Sequence, residues 1–589
     1  MATNLKYVWA TEDIYKDVTC WEKDFETVKN SCDFSEFIGK LDKKDEFLAC
    51  MKKRERVVRL LDKLSVYAYM NHDKDTRDSF FDSLNERVNM LASTLSENLA
   101  FIVPELTKLS SKVLSGYIAD ESLKDYDYFL KTIVKQKKHV LSIKEEKMLA
   151  NLGQVTSCFK DIFSKIDNAD LPVKPFKYKG KTYELSHGYY GVYMHDENRG
   201  LRKKAFNTYY ESYLSLINTI ASTYFGNVKK NVFYSKVRSY PSVLDMMLDD
   251  EDVDKKVYKN LISGVNKSLP LLHKYIAQKK KALGVKKMQM YDVYAPITNG
   301  TELKLEYEDA YNLVIDGLKV LGDEYVSLLK KAKDERWIDV KESKGKRSGA
   351  YSICVYDTHP YVLLNYQKTT HDVFTIAHEM GHSLHSYYSN KNQPYEKADY
   401  RIFVAEVAST VNEVLLINHL IKNSTNNGLK KYLLSYLLEM IRTTLYRQTQ
   451  FSEFEEFSHN SVEKGVPLNK DNLTEEYRRL NKKYYGRSIC SDGYIGYEWA
   501  RIPHFYRAFY VYKYATGIIS ALAIVNRILT EGETAVKDYF KFLSSGGSDN
   551  PVNLLKLAGV DLTTKAPFTS AFNTFKETLN EFIKLSEDK

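Results

Sequence analysis

The chain is poor in the residues that interrupt or staple a fold. Its 589 residues include 12 prolines and 26 glycines, so long helices are expected. Six cysteines (Cys20, Cys32, Cys50, Cys158, Cys354 and Cys490) are scattered without a CxxC pair. That spacing excludes a disulfide framework and a cysteine zinc site, and it points to reduced thiols in the cytoplasm. The start, MATNLKYVWATED, lacks a charged-then-apolar signal region, and the longest apolar stretch, ATGIISALAIV at 515–525, is too short to span a bilayer. Internal repeats, low-complexity segments and a GxxxxGK(S/T) phosphate loop are missing as well. The net charge of +9 is spread along the chain, whereas nucleic-acid binders cluster it, so neither nucleic acid nor membrane is expected as a partner. Histidine is scarce, at 13 residues.

What is present reads as mainly α. ERVVRLLDKLSVYAYMNHD (55–73) carries a helical apolar stripe, and LNERVNMLASTLSENLAFIVPELTKL (84–109) carries another. KAFNTYYESYLSLINTIASTYFGNVKKNVFYSKV (204–237) predicts one very long helix. Strands are expected at SICVYD (352–357) and YVLLNYQ (361–367), on either side of a turn. Pro and Gly gather at 165–190, which predicts a helical N-terminal domain over 1–185 and a catalytic domain over 186–589. The basic loop KGKRSGAYS (344–352) reads as a mobile turn, and an exposed edge of YVLLNYQ could bind an extended peptide through main-chain hydrogen bonds.

Four of the scarce histidines fall in HDVFTIAHEMGHSLHSYYSN (371–390), where His378-Glu379-Met380-Gly381-His382 spells HExxH. On a helix, residues at i and i+4 point the same way, so two imidazoles can grip one ion while Glu379 lies near the water it carries. Thr369 or Thr370 suits the helix cap and Asp372 its first turn. Val373, Ile376, Ala377, Met380, Leu384 and Tyr387 form an apolar stripe, which leaves His371, His378, His382 and His385 opposite. Gly381 costs ~1 kcal/mol against Ala inside a helix, so its backbone should be closely approached. A second helix, RIFVAEVASTVNEVLLINHLI (401–421), is apolar almost all round, yet it carries Glu406 and Glu413 two turns apart. A buried carboxylate needs a cation, so Glu406 reads as a third metal ligand and Glu413 as the group that orients a ligand histidine. The bland alternative pairs Glu406 with a distant Lys or Arg. Two His and one Glu leave a coordination position for water, which is the pattern of a catalytic Zn²⁺, one per chain, with Glu379 as general base for peptide hydrolysis.

RIPHFYRAFYVYKYATG (501–517) is the second unusual stretch. Pro503 is expected to open a helix with Tyr506, Tyr510 and Tyr514 on one stripe and Tyr512 opposite. Such tyrosines and His504 would be donors to a developing oxyanion, each worth ~3 kcal/mol. In a chain with 46 tyrosines the competing reading is a core aromatic stripe.

Several stretches resemble the oligoendopeptidase F family, a branch of the thimet-oligopeptidase-like zinc metallopeptidases. They include YAYMNHDKDTRD, KVRSYPSVLDMML, MYDVYAPI, ERWIDV, GAYSICVYDTHPYVLLNYQ, AHEMGHSLHSYYS with ADYRIFVAEVASTVNE, and HFYRAFYVYKYATG. The resemblance implies a mainly α, elongated clamshell-like zincin metallopeptidase, with a small β-sheet beside the HExxH helix and a deep substrate channel. It implies His378, His382 and Glu406 as zinc ligands, Glu379 as base, and a C-terminal His and Tyr for transition-state binding. It leaves open which of Tyr506, Tyr510, Tyr512 and Tyr514 acts with His504. The expected substrates are short unstructured peptides cut internally. A zinc exopeptidase on a similar scaffold, an inactive peptide binder and a structural scaffold are the competing readings, and a monomer and a homodimer are equally compatible with the chain.

Overall fold

A computed structural model of the chain describes residues 5–298, 303–491 and 493–587. Helices dominate, as the shortage of proline and glycine predicts, and short polar side chains start many of them. Asp17, Asp78, Ser186, Asn198, Ser242 and Asp254 each accept a hydrogen bond from a first-turn N–H. The 55–73 stripe lies within the helix Lys44–Lys74. The 84–109 stripe is divided between Ser79–Leu99 and Ile102–Lys108. The single long helix expected at 204–237 is two, Arg199–Ser215 and Ile217–Val237. Leu216 leaves helical geometry (φ −117°, ψ 11°), and its N–H bonds to Tyr213 O three residues back. Apolar periodicity runs through such a break because both helices bury the same kind of face.

Packing divides the chain into two compact units that are interleaved in sequence. One is built from Met1–Val140, Glu302–Leu420 and Ile524–Val560, the other from Leu141–Thr301, Ile421–Ala523 and Asp561–Lys589. Sequence order suggested a single boundary between 185 and 186, but the first unit joins the N-terminal helices to the strand ahead of HExxH. Trp21, Leu64 and Leu84 share one core with Tyr361 and Leu363. Pairing across more than 200 residues leaves no mark in local composition.

In the first unit three short strands lie in the order Ile338–Asp339, Tyr361–Leu363, Tyr351–Ile353, the first pair parallel and the second antiparallel. Tyr361–Leu363 is therefore central, and the edge available to a peptide belongs to Tyr351–Ile353. Val362 and Leu364 donate their N–H groups to Trp337 O and Asp339 O, so Tyr361 and Leu363 face the antiparallel neighbour, opposite Ile353 and Tyr351. Alternation then turns the N–H and C=O of Ser352 to the outer edge. The 344–352 loop is tied down: Lys346 Nζ reaches Leu364 O at 2.6 Å and Lys341 O at 2.8 Å, and Gly345 O accepts from Thr76 N–H at 2.8 Å.

The helix Thr370–Asn392 follows this sheet and the helix Ile402–Asn423 follows in turn. Among the described residues, the latter is the one helix long and apolar enough to cross a membrane by length and composition. Just over half of its apolar window (56%) is buried within the protein, as in a core helix. The 515–525 run lies in the helix Tyr512–Glu531.

Candidate active site

Thr369 caps the HExxH helix and forms a capping box with Asp372, as the sequence predicts. The close approach required at Gly381 is supplied by the crossing helix. A Cβ there would lie 2.5 Å from Ser409 Cα and 2.7 Å from Ala408 O. That contact brings the Ile402–Asn423 backbone against the histidine helix one turn from Glu406. Asn412, which sequence reasoning passed over, locks the crossing. Its Nδ2 donates to Ala377 O at 3.0 Å while its Oδ1 accepts from Tyr325 Oη at 2.9 Å.

Across this crossing His378, His382 and Glu406 converge. His378 Nε2 and His382 Nε2 are 3.2 Å apart, and Glu406 Oε2 lies 3.4 Å from the first and 3.5 Å from the second. Metal–ligand bonds of ~2.0–2.1 Å at a tetrahedral angle place donor atoms roughly 3.3 Å apart, so the triad fits one Zn²⁺-sized ion. It is the one group of three or more such donors among the described residues. His378 Nδ1 is hydrogen-bonded to Glu413 Oε1. The proton of a neutral imidazole then sits on Nδ1, and the Nε2 lone pair faces the triad. Glu406 was expected to be buried; its side chain is a third exposed, which suits a carboxylate facing a substrate space.

The electrostatics agree with this wiring. Burial pulls the His378 imidazole down, but hydrogen bonds with Glu406 and Glu413 outweigh it and hold the pKa well above the ordinary imidazole value. Burial pushes Glu406 up, and its two histidine partners outweigh it and leave the carboxyl strongly depressed. Glu379, 7% exposed, is raised by burial against the opposing pull of both histidines. His385 does not join the others. It is buried, stacks on Tyr400 (3.8 Å between ring centres), and is held near about 3 by burial and by His382. His371 is exposed in the first helical turn. The Tyr351–Ile353 strand is bound to this helix through a 2.8 Å Ser352 Oγ–Ser383 Oγ hydrogen bond.

In the second unit, Pro503–Tyr506 is a single 3₁₀ turn, and the α-helix begins only at Tyr512. The expected tyrosine stripe is therefore not on one helix. Tyr506 and Tyr512 are 6% and 1% exposed, and Tyr506 stacks on Phe163 at 4.4 Å. Burial raises both hydroxyl pKa values far above normal. Two of the four tyrosines expected to act with His504 are therefore buried. His504, Tyr510 and Tyr514 instead form an accessible aromatic group, with ring centres 6.1, 5.9 and 5.4 Å apart. Burial, Arg447 and Arg507 depress the His504 pKa.

The chain is similar to known peptidases. Residues 192–574 match the model of peptidase family M3, and residues 105–172 match that of oligopeptidase F. The chain is 41% identical over 581 residues to oligopeptidase PepF of Bacillus subtilis, covering 98% of this chain and 87% of that one. It is 37% identical to an oligoendopeptidase F homolog of Lactococcus lactis over 99% of this chain and 98% of the other. The crystal structure of oligoendopeptidase-F from Enterococcus faecium superposes with a TM-score of 0.75 at 33% identity, covering 97% of this chain and 98% of that one.

Proposed function

The chain belongs to peptidase family M3, and from that premise we propose that it cuts internal bonds of short, unstructured peptides using one Zn²⁺ held by His378, His382 and Glu406. The observation that carries this reading is the convergence of those three donor atoms beside a buried Glu379. Bound there, Zn²⁺ supplies Lewis acidity to the attacking water and the scissile carbonyl. Glu379 takes the proton from the water and returns it to the leaving amine. Glu413 holds His378 in the tautomer that keeps Nε2 free for the ion. Ser352 offers its outward N–H and C=O to an extended substrate, so recognition runs through main-chain atoms and tolerates many sequences. Six cysteines without disulfide partners suit a reducing compartment, and the cytoplasm is the setting we propose.

The test is a length series of quenched peptides together with a folded protein, incubated with metal-stripped enzyme before and after one equivalent of Zn²⁺, with products mapped by mass spectrometry. Internal cuts in the short peptides that appear only with metal support the reading. Removal of single residues from one terminus would make the enzyme an exopeptidase. Zinc uptake without cleavage of any peptide would leave a binding protein.

A further inference from the structure

The stretch YAYMNHDKDTRD (67–78) borders the free strand edge of the first unit. Four of its residues, Tyr69, His72, Asp73 and Thr76, line a cavity of about 860 Å³ together with the strand Tyr351–Ile353. The helix Ser79–Leu99 closes another side and contributes Asp82 and Glu86. A space of this size is that of a small-ligand pocket. The cavity, the strand and the HExxH helix all belong to one compact unit, within Met1–Val140 and Glu302–Leu420.

Strand geometry decides which part of a paired peptide enters the cavity. Ser352 turns its side chain to the HExxH helix, where its Oγ meets Ser383 Oγ at 2.8 Å. Tyr351 and Ile353 turn theirs the other way. Both pack on the core that contains Leu64 and Leu84, and Tyr351 Oη donates to Asp73 Oδ2 at 2.8 Å. Residues level with each other on neighbouring strands share a face of the sheet. A peptide residue level with Ser352 therefore points its side chain toward the HExxH helix. The residues on either side of it point theirs to the face that carries the cavity.

The lining is acidic in a chain whose net charge is +9. Asp73, Asp82 and Glu86 face one guanidinium, that of Arg347. Arg347 is already committed, since it lies 3.4 Å from Asp73 and is hydrogen-bonded to Tyr69 Oη. Asp82 has the imidazole of His72 at 3.7 Å, outside hydrogen-bonding distance, and Glu86 has no ion-pair partner among the described residues. The two carboxylates stand one turn apart on their helix, where like charges repel. A cation between them turns that repulsion into attraction. Lys and Arg are the substrate side chains that carry one on a long apolar stem.

We propose that this cavity is a specificity pocket, in which Asp82 and Glu86 hold a Lys or Arg side chain of the substrate next to the residue paired with Ser352. This deepens the peptidase reading and rests on it. Main-chain pairing admits many sequences, and the pocket favours a basic residue at a fixed distance from the cut bond.

The experiment gives zinc-loaded, full-length enzyme a set of quenched peptides in which Lys, norleucine or Glu replaces each residue of one parent in turn. Cut positions are read by mass spectrometry, and kcat/KM is taken for one scissile bond. Lys should exceed norleucine by roughly threefold to tenfold, chiefly through KM, with Glu the poorest of the three. The preference should appear at one position, or at two positions two residues apart. Asp82 and Glu86 are exposed, so substitutions there leave the core untouched. Asp82→Asn with Glu86→Gln should bring the Lys-to-norleucine ratio close to one, whereas general damage lowers both rates and leaves the ratio intact. Asp82→Lys with Glu86→Lys should reverse the order, so that Glu exceeds Lys. Equal rates for Lys and norleucine at every position overturn the pocket while leaving peptidase activity established. A Lys preference that survives both double variants is set elsewhere, and overturns it as well. No cleavage of any peptide refutes the peptidase reading itself.

Discussion

The helix Thr370–Asn392 and the segment 503–514 each carry histidine that we propose for chemistry, and they hold it by different means. The first is an uninterrupted 23-residue helix, capped by Thr369 and Asp372, on which i,i+4 spacing alone aligns His378 and His382. The second is a four-residue 3₁₀ turn, then a bend, then the start of another helix. At the bend Phe509 adopts φ +50°, a left-handed conformation that costs an aromatic residue on the order of 1–2 kcal/mol. Its N–H is gripped at 2.9 Å by Oε1 of Glu455, a fully buried carboxyl whose pKa is raised by burial despite that hydrogen bond. Repetition along one helix places side chains without outside help. A cluster assembled across a bend needs a clamp from a distant element, and here the clamp lies 54 residues away in sequence.

The comparison can be broken in order of expected effect. Glu379→Gln should lower kcat by roughly 10²–10⁴ while the protein still takes up one zinc by elemental analysis. A variant of near-normal rate would remove the base from the HExxH helix. Tyr510→Phe should cost roughly 10²–10³ in kcat if the bend presents an oxyanion donor, and Tyr506→Phe and Tyr512→Phe only a few-fold. Similar losses in all three would mean that burial does not separate the tyrosines. Glu413→Gln should weaken zinc binding about 10–100-fold by chelator competition, because the amide no longer fixes the His378 tautomer.

Zinc affinity should also rise with pH, by up to about tenfold per unit between roughly pH 6 and 8. The sign follows from His378: its hydrogen bonds with Glu406 and Glu413 favour the protonated imidazole, the ion must displace that proton, and the competition eases as pH rises. A flat profile across that range would show that no proton is released. The smallest effect is expected at the clamp. Glu455→Gln keeps an acceptor for Phe509 N–H and should leave unfolding free energy and turnover nearly unchanged, whereas Glu455→Leu should cost about 1–3 kcal/mol in denaturant unfolding. Equal stability of the two variants would mean that the bend holds itself.

Much of the candidate site was legible because its information is local. HExxH on a cappable helix, the cost of Gly381, and two carboxylates on an otherwise apolar helix are all statements about neighbours in sequence, and the structure joins them through contacts of Gly381 and Asn412. His385 and the exposure of Glu406 were misread for one reason: a helical wheel sorts residues by angle, but which angle is covered depends on Tyr400, Phe542 and the rest of the fold. The peptide-binding edge was assigned to the wrong strand because Ile338–Asp339, two residues long, is too short to be recognised in sequence, yet it covers the outer side of Tyr361–Leu363.

By itself, then, the sequence determined the helical class, the placing of His378, Glu379 and His382 on one helix and that of Glu406 and Glu413 on the next, because α-helical periodicity converts spacing into direction. Only the tertiary structure decided which strand edge is free, which tyrosines are accessible, how residues 1–140 and 302–420 share one core, and which carboxylates line the cavity at that edge. Those are questions of burial and charge balance among residues tens to hundreds of positions apart, and such balances are struck only when the chain has folded.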